Sequence, residues 1–197
     1  MQHNPIPTAV LAAALSACSL QPEVLNSERI KDRFGSYGIE IIQQDDNIRL
    51  SNLYSTHDGD QICRTYAIVK FVGSNFVDLT EVQNKIVDGA SIGSTLKNDG
   101  WEIRKESIYV GTLNLPISAR AISALMRLQP DVELAVHAYK LHIEKASFSV
   151  HYATIIETHH PEYLGTTELR DLYSVSTKTD ADAINDIHQL VLRQSRD

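Results

Sequence analysis

The chain has 197 residues, 43% of them hydrophobic and 22% charged, values ordinary for a soluble globular fold and unlike a disordered or fibrous one. Its 18 Lys plus Arg against 25 Asp plus Glu give a formal net charge of −7, with no basic block and no basic residue before Arg29. Nucleic acid is therefore not expected as a partner, nor is a domain lying flat on anionic lipid, since both depend on clustered Lys and Arg.

The first feature along the chain is an apolar run at residues 6–15, interrupted only by Pro7 and Thr8 and closing on Leu15-Ser16-Ala17-Cys18. It is shorter than the roughly 18–20 apolar residues that span a bilayer as a helix. Ser16 and Ala17 are small, as a signal-peptidase pocket requires, and polar residues follow at once. The preceding Met1-Gln2-His3-Asn4 carries no Lys or Arg. The motif resembles the lipobox of bacterial lipoproteins, and the resemblance covers residues 1–19. It implies a signal peptide at 1–17, cleavage before Cys18, diacylglyceryl and palmitoyl chains on that cysteine, and a lipidated tether at 18–26. The lipid bilayer is then a partner through acylated Cys18. Ser19, where an Asp would mark retention at the inner membrane, points to the periplasmic face of the outer membrane. Each buried CH₂ adds about 0.8 kcal/mol, so two or three acyl chains on one cysteine hold firmly.

Removing residues 1–17 of 197 leaves 180, enough for one domain with a sizeable core. If Cys18 carries lipid, Cys63 has no partner within its own chain. It lies in a strand-like run at 61–69, where a small buried thiol is expected.

The spacing predicts a short helix at 27–34, capped by Ser27 and closed by Gly35. Residues 39–42, 48–54 and 61–72 read as three strands, with turn signals at 44–47 and 57–60. They form a meander, expected to pack one face and expose the other. After a loop at 73–75, Val82, Ile86, Val87 and Ala90 fall at helical spacing, and the helix runs on toward Asn98-Asp99-Gly100. Residues 101–115 read as extended, with Gly111 as a bulge site, and 116–128 as a helix entered at Pro116. Residues 132–144 and 147–157 pair about Lys145-Ala146. That pairing sets Ile143 opposite Phe148, Leu141 opposite Val150, Tyr139 opposite Tyr152 and Ala135 opposite Ile156. Lys140, His142, Ser149 and His151 fall on the other face. Helices are expected at 166–173 and at 179–193, the latter with a stripe of Ala183, Ile184, Ile187, Leu190 and Val191. The whole reads as a single α+β domain at 27–197, with a mainly antiparallel sheet of about six strands and four or five helices.

Two clusters are candidate sites. His151, Glu157, His159 and His160 offer imidazole and carboxylate ligands suited to Zn²⁺, with His142 a diagonal neighbour of His151, although neither HExxH nor CxxC is present. Arg49, Ser51, Tyr54 and Arg64 lie on the meander, with Tyr66 beside them, and would make a polar patch for a sugar or carboxylate if its exposed face were concave. The glycine-rich stretch at 88–97 lacks the Gly-Lys-Ser/Thr order of a phosphate loop, and Gly-x-Ser-x-Gly is absent.

No residue is assigned a catalytic role and, apart from Zn²⁺, no cofactor is expected. The leading expectation is therefore a membrane-anchored periplasmic lipoprotein, acting by binding or as an accessory factor for an envelope protein partner. The alternatives are a small anchored hydrolase or metalloenzyme at His151, His159 and His160, and a structural envelope protein without a small ligand.

Overall fold

The computed structural model describes residues 24–45, 47–72, 79–129, 131–173 and 181–194. The apolar run, Cys18 and most of the expected tether lie outside them.

Six strands form one antiparallel sheet: β1 (Gly38–Gln44), β2 (Ile48–His57), β3 (Asp60–Phe71), β4 (Glu102–Asn114), β5 (Glu133–Lys145) and β6 (Phe148–His159). Their order is β1-β2-β3-β6-β5-β4. Two three-stranded meanders thus meet at the middle, each through its last strand. The six helices are α1 (Asn26–Phe34), α2 (Thr80–Val87), α3 (Ile92–Asn98), α4 (Arg120–Met126), α5 (Thr166–Leu172) and α6 (Ala181–Gln194). The fold is a single α+β domain, as expected. Among the described residues, no helix is long and apolar enough to cross a membrane.

Local chemistry explains most of the boundaries. Glu28 reaches back to the Leu25 N–H at 2.7 Å, so α1 starts one residue before the expected Ser27 cap and takes in Asn26. Gly35, at φ 74°, closes it with a bond from its N–H to the Lys31 carbonyl. The single helix expected up to residue 98 is two helices. The chain turns between them at Gly89, whose φ of 104° only glycine adopts freely.

The meander does not leave a face open, because helices cover both sides of the sheet. One side packs Leu50, Cys63, Tyr66, Ile68, Val136, Ala138 and Ile156 under Ile122 and Met126 of α4 and Val191 of α6. The other carries Leu53, Ala67, Val69, Tyr139, Leu141, Ile143 and Ile155 beneath Ile30 of α1, Val82 and Ile86 of α2, Leu96 of α3 and Leu169 of α5. Cys63 is fully buried, and desolvation raises its thiol pKa far above the ordinary value, so it packs as a small apolar group.

The β5–β6 register differs from the expected one. Ile143 pairs with Val150 and His142 with His151, but past an irregularity at Tyr152 the pairs become Leu141 with Ala153 and Tyr139 with Ile155. A β-bulge there shifts the parity of everything downstream. Ile156 therefore faces α4 and α6, while Glu157 and His159 join Tyr139 on the opposite side. In β4 the bulge falls between Ser107 and Tyr109 rather than at Gly111.

Candidate functional site

Cross-strand partners share a face, so the register lays out the α1–α3 side of the sheet in rows. One row runs Arg49, Val69, Ile155, Tyr139 and Ser107 from β2 to β4. The next runs Ser51, Ala67, Glu157 and His137. Leu53, Thr65 and His159 follow in a third. Over them lies a cavity of about 80 Å³, roofed by Leu25, Asn26 and Ser27 at the start of α1 and by Ser91, Ile92 and Gly93 at the start of α3. Its apolar walls are Ile39, Leu53, Ala67, Val69, Ile103, Leu141 and Ile155, and Tyr37, Arg49, Ser51, Lys105, Tyr139 and Glu157 complete the lining. Since one water needs about 10–15 Å³ of such space, several water-sized groups fit.

The polar groups in the lining differ in how they are supported. Arg49 is completely buried and bonds Ser51 Oγ, the Ile86 and Ala90 carbonyls at 3.0 Å each and the Gly89 carbonyl at 3.4 Å. It ties the C-terminal end of α2 to the sheet, and burial lowers its pKa from the ordinary guanidinium value. Tyr37 Oη is buried without a hydrogen-bond partner. Burial pushes its phenol up, while the Ser91 side chain beside it pulls the other way without reaching bonding geometry. Lys105 Nζ lies over the rings of Tyr139 and Tyr173 and donates to Tyr173 Oη at 3.3 Å. Glu157 accepts from Asn26 Nδ2 at 3.1 Å, and the same amide donates to Thr65 Oγ1. Tyr163 Oη donates to Asn26 Oδ1, which locks the start of α1 over the sheet.

Beside the cavity lie two buried histidines. His137 Nε2 is 2.9 Å from Ser107 Oγ, its ring stacks on Tyr173 at 4.1 Å, and its Nδ1 has no partner. His159 Nδ1 pairs with Thr65 Oγ1 at 3.0 Å, and its Nε2, 4.0 Å from Glu157 Oε2, is unpartnered. Desolvation, reinforced by Lys105 and Arg29, pushes His137 down to about 2 and His159 to about 3. Both are therefore neutral, and the His159–Glu157 contact is not an ion pair.

The expected zinc set does not assemble. The bulge at Tyr152 leaves His151 on the face opposite Glu157 and His159, where it meets His142 with ring centroids 5.4 Å apart. His160 Nδ1 accepts from the Glu162 N–H and its Nε2 donates to the Met126 carbonyl, so neither nitrogen offers a lone pair to an ion. Among the described residues no three His, Cys, Asp or Glu side chains are grouped to hold a metal.

The expected polar patch also divides. Arg49 and Ser51 enter the cavity. Arg64 is buried elsewhere, over the Phe34 ring, and bonds Ser55 and Glu162. The Tyr54 ring covers Gly38. Tyr66 is buried on the far side of the sheet, with its hydroxyl on the Gln194 carbonyl.

The sequence reading passed over Asn26, Tyr37, Lys105 and His137. Alternation along β4 and β5 could have aligned Lys105 with His137, but nothing local marks Asn26 or Tyr37, which reach the site only through the docking of α1 and the entry to β1.

No protein-family model matches the chain, and no curated protein matches it either. Among solved structures it is similar to the C-terminal domain of PhnF, with a TM-score of 0.43 and 11% sequence identity over 71% of this chain and 77% of that one.

Proposed function

We propose that this is a lipid-anchored envelope protein, held at the periplasmic face of the outer membrane through Cys18, whose domain works by holding a small molecule between its sheet and α1–α3. The observation that carries the binding role is the cavity. An apolar pocket with a few convergent polar and charged groups is the usual form of a small-ligand site, and here Arg49, Lys105 and Glu157 line one such space. The Leu15-Ser16-Ala17-Cys18 motif supports the anchor, and a membrane-held binder needs no catalytic constellation.

Both halves are testable on the full chain. Mass spectrometry of the purified protein is expected to find acylated Cys18 at the mature N-terminus, and Cys18→Ser to abolish the modification; an intact, lipid-free Met1 sinks the anchor. A fragment screen by ligand-observed NMR is expected to give hits that vanish in Ala67→Leu, which fills the cavity. Hits unaffected by that change, with the variant still folded by circular dichroism, sink the binding role.

A further inference from the structure

We propose that the cavity takes a small organic monoanion, a carboxylate on a compact apolar body, with its acid group at Arg49 and Tyr37. This rests on the binding role proposed above for the same cavity. Arg49 is withdrawn from water, yet all four of its acceptors are neutral oxygens. The carbonyls at the end of α2 offset part of its charge, but among the described residues no carboxylate meets it. A buried cation without a counter-ion retains much of its desolvation cost, and an entering anion relieves it. Tyr37 lines the same cavity, near enough for its hydroxyl and the Arg49 guanidinium to act on each other electrostatically, and its Oη is an orphaned buried hydroxyl, which is rare in folded proteins and here supplies a ready donor. One carboxylate can accept from both groups.

The remaining lining fixes the orientation and size. Glu157 is the acidic group of the lining and would repel an acid group, while Lys105, the lining's second cation, is held over the rings of Tyr139 and Tyr173 and donates to the Tyr173 hydroxyl. Glu157 stands two strands from Arg49, about 9–10 Å across the sheet, and is already engaged by Asn26. The floor between them is Ala67, Val69 and Ile155, which suits an apolar body. With about 80 Å³ available, at 10–15 Å³ for each water-sized group, the occupant has roughly five to eight such groups. That limits it to a short aliphatic chain or a single ring and excludes a long acyl chain.

Calorimetry on the full chain, with pentanoate and 2-furoate against pentanamide and 2-furamide, tests this and separates an aliphatic from an aromatic occupant. At least one acid is expected to bind, with its amide about tenfold weaker or more, the loss of one charge-assisted bond. Inorganic phosphate, an anion without an apolar body, is expected not to compete. Tyr37→Phe removes only the unpartnered hydroxyl and is expected to weaken the acid severalfold at unchanged melting temperature, and to weaken the amide less, since its carbonyl accepts without a charge. Arg49→Met is expected to erase the preference for the acid. Amides binding as tightly as acids, or an acid indifferent to Tyr37→Phe, would overturn the anion assignment while leaving the cavity a binding site. Silence from all four probes would also overturn it, and the Ala67→Leu fragment comparison then decides the binding role on its own.

Discussion

At the scale of single residues, two strand glycines are explained by the tyrosines lying on them. A Cβ at Gly38 would come within 2.2 Å of the Tyr54 ring, and one at Gly111 within 2.1 Å of the Tyr109 hydroxyl. Gly38 and Tyr54 are direct cross-strand partners, so the ring closes over the backbone of edge strand β1. Replacing a strand glycine by alanine ordinarily gains about 0.5–1 kcal/mol. Here the ring has to leave its place, an overpacking effect of about 1–3 kcal/mol in the other direction. Gly38→Ala is therefore expected to lower the urea midpoint, and to lower it much less in a Tyr54→Ala background. Equal shifts in the two backgrounds would show that the ring is not the cause. Tyr54 itself was legible as a meander residue, but its packing on Gly38 was not, because that contact depends on the absent side chain of a residue sixteen positions earlier in the chain.

At the scale of elements, all six strands were legible from alternation and turn residues, and the β5–β6 hairpin was found with nearly correct ends. Its register was not. The turn uses Ala146 at φ 55°, with no Asn-Gly or Asp-Gly to fix the pairing from sequence. The bulge at Tyr152 then reverses the parity of the second half of β6. That one extra residue carries Glu157 and His159 from a supposed outer face into the site, and it separates them from His151. Patterning cannot reveal such a bulge when both faces of the sheet are buried, because either parity supplies apolar residues to a core. The turn offers a direct check. Alanine in the left-handed region costs about 1–2 kcal/mol, and part of that is returned when glycine replaces it, after glycine's own entropic penalty. Ala146→Gly is expected to stabilise the protein by about 0.5–1 kcal/mol in thermal or urea unfolding. A loss of stability would mean that this residue does not hold the left-handed conformation.

At the scale of the whole molecule, the fold class was legible, but the covering of both sheet faces was not, and that covering governs the behaviour of the histidines. Under helices on both sides, His137 and His159 are held neutral, at about 2 and about 3, whereas in the unfolded chain each takes up a proton near 6.5. Below pH 6.5 the unfolded state thus binds protons that the folded state refuses, so this stability is fully present above that pH and is lost as pH falls. His151, His160 and His188 are lowered by desolvation as well and act in the same direction. The carboxylates held below their ordinary values, such as Asp60, Asp99 and Glu162, lose their contribution only at lower pH. A window between pH 7.5 and 5.5 therefore isolates the histidines. Over it, His137 and His159 together are expected to cost the fold about 2–3 kcal/mol, by linkage from the two shifts. Urea unfolding at several pH values reads this directly, and His159→Gln is expected to remove about half of that 2–3 kcal/mol contribution. A stability that stays flat across the window would mean that the two rings are charged in the folded protein, which would place a counter-ion or water against Nδ1 of His137 and Nε2 of His159, the two ring nitrogens that now stand unpartnered.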